Sequence, residues 1–108
     1  MNQQQQWAVA LKKSKNNSAQ AARVSSPVVK KHIEDAIAYY KKELRSAASA
    51  KRTERIPSIV KQLIGLRARQ AAAAISESKN QKETDRTLTN YYIDCYRLVN
   101  AANQLVTP

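Results

Sequence analysis

Few side chains in this 108-residue chain are of a type and spacing that could do chemistry. His32 is the one histidine and Cys95 the one cysteine. A zinc-type site needs several such ligands, so neither residue supports one, and a single thiol forbids an internal disulfide. Glu34 and Asp35 are adjacent and so point to different faces of any helix. Asp85 and Asp94 lie too far apart along a helix to form a local carboxylate pair. With one glycine, Gly65, there is no glycine-rich phosphate loop. The expectation is a protein with no enzymatic activity, metal or cofactor.

What the chain has in excess is positive charge. Lys and Arg number 19 against 8 Asp and Glu, giving a net charge of +11 and a pI near 10.1. Such a surplus repels itself unless an anion neutralises it. Nucleic acid is the usual partner of a domain this basic, and DNA is expected ahead of RNA. An acidic protein surface is the alternative. The surplus is weighted to the N-terminal half: residues 1–26 hold Lys12, Lys13, Lys15 and Arg23 and no acid. Candidate phosphate-gripping residues are these four, Lys30, Lys31, Lys41, Lys42, Arg45, Lys51, Arg52, Arg55, Lys61, Arg67 and Arg69. Tyrosines with basic neighbours can stack on unpaired bases. Here Tyr40 and Tyr92 fall on apolar stripes and Tyr39, Tyr91 and Tyr96 flank them, which reads more simply as core and core edge.

The elements that must position these cations read as helices. Alanine is abundant and glycine and proline are scarce, a composition that suits helix over turn-rich β structure. An all-α fold is expected: a three-helix, or four-helix, bundle over residues 27–108, with residues 1–26 as a basic disordered arm. That arm has few large apolar residues to offset the cost of ordering it. Ser26-Pro27 predicts the start of a first helix, about 27–50, with Val29, Ile33, Ile37, Tyr40, Leu44 and Ala47 or Ala48 on one stripe. A last helix, about 84–106, carries Leu88, Tyr92, Cys95, Val99, Ala102 and Val106 at alternating steps of four and three. Ser78 with Gln81, or Thr84, is expected to cap it. Cys95 on that stripe is expected to be a buried thiol.

The middle segment, about 56–77, admits two readings that turn on GLRARQAAAAIS, residues 65–76. As one helix, it puts Arg67 near the centre of an apolar arc and Gly65 in the helix interior, two local penalties. As a helix-turn-helix, PSIVKQLI would be the first helix, GLR the turn and ARQAAAAIS the reading helix. Four alanines cannot hydrogen-bond to base edges, whereas small side chains let helices approach closely. The alanine block therefore favours one long or kinked helix.

No run approaches the roughly 20 apolar residues of a membrane span, and WAVAL does not read as a signal peptide. A reducing cellular interior is the expected setting, whether cytoplasm, nucleoid or a virion assembled there. The expected function is nucleic-acid binding through phosphates, as in a small phage, plasmid or viral DNA-binding, packaging or coat protein that forms homo-oligomers. The alternative is a helical assembly module whose alanine face, Ala71 to Ala74, docks an acidic protein partner.

Overall fold

The computed structural model describes residues 2–16 and 27–106. It contains four α-helices: α1 (Gln3–Asn16), α2 (Pro27–Ser49), α3 (Ile56–Ser76) and α4 (Gln81–Val106). A single 3-10 turn, Thr53–Arg55, leads into α3. No strand occurs among the described residues. The fold is the expected all-α bundle, with three of the four helices within residues 27–106 and the fourth, α1, in the segment read as an arm.

Local sequence explains most of the helix ends. At α1, the Gln5 N–H donates to Asn2 Oδ1 at 2.8 Å and the Asn2 N–H donates to Gln5 Oε1 at 3.0 Å. This reciprocal pair is a capping box, and it satisfies donors that the first helical turn leaves open. Ser26, the expected cap of α2, lies outside the described residues. α2 ends where the Arg52 N–H donates to Ala47 O at 2.8 Å and the Lys51 N–H to Ala48 O at 3.2 Å. That is the Schellman pattern, and it holds Lys51 at φ 59°. At α4 the cap is Asn80, neither Ser78 nor Thr84. Asn80 Oδ1 accepts from the Glu83 N–H at 2.9 Å, and Glu83 Oε2 accepts from the Lys79 N–H at 2.8 Å.

α3 is the central helix, packed by α1, α2 and α4. Nine of its residues are buried, from Ile56 to Ala73. α2 lies antiparallel to it and contributes Ile33, Ile37, Leu44 and Ala47 to a first core with Ile56, Ile59, Val60, Leu63 and Leu66. This stripe of α2 is the one its spacing predicts. A second core joins Trp7 and Leu11 of α1 to Ala68, Ala71 and Ala72 of α3 and to Tyr91 and Cys95 of α4.

The second core corrects the expectation for the N-terminus. Gln3–Asn16 is a docked helix, because Trp7 and Leu11 are one turn apart and both find cover, at 3 % and 5 % exposure. Large buried side chains of this kind each contribute about 1.5–3 kcal/mol, enough to offset ordering a short helix. The rest of the arm, including Arg23, lies outside the described residues. The core also uses α4 differently from its reading as a single stripe. Tyr91, expected at the edge, is fully buried, while Tyr92 is only partly so. The Tyr91 hydroxyl donates to Trp7 O at 2.7 Å, so the polar end of that ring is satisfied inside.

Candidate nucleic-acid interface

α3 runs without a break through Gly65, which excludes the helix-turn-helix reading. Both local penalties have structural answers. Arg67 donates from Nε to Asp94 Oδ2 at 3.0 Å, and its Nη2 lies 2.7 Å from the same oxygen. Its Nη1 donates to Gln70 Oε1. The partner carboxylate comes from another helix, so the local sequence could not reveal it. Gly65 faces an apolar groove bordered by Gln6, Trp7, Ala10, Val60 and Ile64, where a Cβ would meet nothing within 4 Å. The predicted apolar arc of α3 is also rotated in part: Ala74 is exposed, and Ala68, Ala72 and Ala73 are buried.

The structure sorts the candidate cations into two sets. Lys30 pairs with Glu77 at 2.8 Å, Arg55 with Glu43 at 3.8 Å, and Arg67 with Asp94. These three spend charge within the fold. Lys12, Lys13 and Lys15 on α1, and Lys31, Lys41, Lys42 and Arg45 on α2, are exposed and face no carboxylate at ion-pairing distance among the described residues. The same holds for Lys51 and Arg52 at the α2 corner and for Lys61 and Arg69 on α3. Lys79, Lys82, Arg86 and Arg97 are exposed and unpaired in the same sense. Sequence reasoning passed over these four because Glu83, Asp85 and Asp94 nearly cancel them in a running sum of charge.

The acids are placed differently. α1 and α3 contain none at all. Besides the three ion-paired carboxylates, Glu83 caps α4 and Asp85 accepts from Gln81 Nε2 at 2.8 Å. Most of the negative charge is therefore held in place by protein groups, while most of the positive charge faces solvent. Between α2 and α4, over α3, runs a groove of mixed charge lined by Glu34, Lys41, Arg67, Asp94 and Arg97.

No family model, no curated protein and no solved structure matches this chain.

The remaining chemistry-bearing groups are in plain settings. His32 is exposed on α2. Among the described residues no three His, Cys, Asp or Glu side chains gather as a metal site. Cys95 is fully buried, as expected, and burial pushes its thiol up to about 11, so it stays protonated at neutral pH. Burial likewise holds the Tyr91 hydroxyl well above its ordinary range. Of the aromatics, Tyr39 and Tyr96 are the exposed ones. Tyr96 meets Trp7 edge-on at 4.6 Å, and Tyr39 meets Tyr40 in the same manner at 5.2 Å.

Proposed function

We propose that this protein is a non-enzymatic nucleic-acid-binding protein that grips phosphates with exposed lysines and arginines. The observation that carries the reading is the split in its charges: five of the eight carboxylates are engaged by other groups of the protein, while most of the cations face none. An exposed cationic surface of this kind is stabilised by releasing the counterions condensed on a polyanion. The loss of a separate reading helix favours backbone contacts over a base code. DNA is the first ligand to try, and a packaging or coat role would add self-association.

A salt series of binding to labelled duplex DNA, single-stranded DNA and RNA tests this. The expected outcome is a micromolar or tighter complex at low salt. Six to ten phosphate contacts would weaken it by about 10³–10⁵ between 50 and 200 mM salt. Affinity that does not move with salt, or no complex at low salt, sinks the proposal.

The alternative of an acidic protein partner loses its proposed docking face. Ala71, Ala72 and Ala73 are buried within the chain's own cores, Ala71 and Ala72 with α1 and Ala73 in the first core. No helix among the described residues is long and apolar enough to cross a membrane.

A further inference from the structure

α1 and α3 are packed together, and neither carries an acid. α1 ends in Lys12, Lys13 and Lys15, and α3 exposes Lys61 and Arg69. No carboxylate among the described residues pairs with any of these five. Two helices that pack together thus both carry unneutralised charge. What holds them is narrow. Among the described residues of α1, Trp7 and Leu11 are the only buried ones. The Tyr91 hydroxyl adds one bond, to Trp7 O. A 14-residue helix is marginal in water without such a seat.

We infer that the α1–α3 face is the main phosphate-binding surface and that Trp7 is the positioning residue that assembles it. This rests on the nucleic-acid reading above. The logic is linkage. Docking holds a helix with three lysines against one with two further cations, and like charges repel. A polyanion removes that repulsion and gains contacts only when α1 is seated. Docking therefore strengthens binding, and by reciprocity binding must strengthen docking.

The chain contains its own reporters. Cys95 is fully buried in the cluster that Trp7 and Leu11 close, so a thiol reagent reaches it only when α1 lifts or the bundle unfolds. Trp7 is the one tryptophan, and its emission reports the seat.

The experiment uses the full chain and a 20-base-pair duplex DNA. Saturating duplex in low salt is expected to slow modification of Cys95 at least tenfold, on the order of one decade per 1.4 kcal/mol of coupling, and 1 M salt should abolish the effect. Trp7→Ala is expected to weaken duplex binding and to lower the salt slope by about 2–3, the share of three lysines. The triple variant Lys12→Gln, Lys13→Gln, Lys15→Gln should lower the slope equally while leaving the Trp7 emission of the free protein unchanged. Where Trp7→Ala does not fold, the protection of Cys95 in the unmodified protein and the triple variant decide the matter. Bound duplex that leaves the Cys95 rate unchanged overturns the coupling. A triple variant with an unchanged slope overturns the face, while the nucleic-acid reading stands. Failure of the unmodified protein to bind any nucleic acid removes both.

Discussion

Replacing Gly65 with alanine is expected to stabilise the protein by about 0.8–1.0 kcal/mol. The magnitude follows from three features of the site. Gly65 lies in the interior of α3, flanked on both sides by helical residues. Its backbone is not in the positive-φ region, so it draws no benefit from being glycine. An added Cβ meets nothing within 4 Å, so alanine neither clashes nor gains packing. What remains is the difference in intrinsic helix propensity, which is largely entropy lost by glycine on folding. For a domain of this size that should raise the Tm by roughly 4–6 °C. The assay is urea unfolding followed by circular dichroism at 222 nm, paired with a thermal melt. The midpoint should rise with an unchanged slope, since no surface is added to or removed from the folded state. A lowered midpoint would refute the reasoning, because it would mean that residue 65 occupies a turn only glycine tolerates.

Lys51 is the converse case: a side chain at φ 59° where glycine is preferred. Lys51→Gly should raise the urea midpoint, by roughly 1 kcal/mol, and a fall would mean that the Lys51 side chain contributes more than its strain costs. Ala72→Glu places a carboxylate under Trp7 and Leu11. It should shift Trp7 emission to the red and cost about 3 kcal/mol or more; wild-type emission and stability would show that α1 does not sit there. Alkali should destabilise the protein, because burial raises Cys95 from an ordinary 9.0 to about 11 and raises Tyr91 too. The unfolded chain then releases these protons at lower pH than the folded one. Stability is complete below about pH 9 and falls as pH rises toward 11, with Cys95 contributing about 2–3 kcal/mol. Comparing urea midpoints at pH 7 and pH 10.5 for the wild type and Cys95→Ala isolates that share, and equal losses in both would exclude it.

The parts of the fold legible in the sequence are those governed by short-range periodicity. Ile33, Ile37 and Leu44 could be placed because a helix with one buried face repeats every three or four residues. Cys95 was legible for the same reason. α3 was harder, because burial on several sides blurs the period: Ala68, Ala72 and Ala73 are inside and Ala74 is not. Arg67 looked like an error in a core until Asp94 supplied its charge from another helix. Trp7 and Tyr91 depend on each other across the chain, so neither could be placed alone. The capping box of Asn2 with Gln5 and the Asn80 cap, with Glu83 three residues on, were readable from spacing and passed over. Among the cations, the exposed set was largely anticipated. Which of them are neutralised within the fold required the tertiary structure.

The bond between Tyr91 and Trp7 also sets a clock for the protein's synthesis. The two residues are 84 positions apart. At about 5–20 residues per second, Trp7 is added to the chain some 4–17 s before Tyr91. Throughout that interval half of the seat for α1 does not yet exist, since Tyr91 and Cys95 are part of it. α2 and α3, neighbours in sequence, can close on each other first by local contacts, which form fastest. Of the four helices α1 is made first and finds its place last, its tryptophan waiting until Tyr91 and Cys95 have been added.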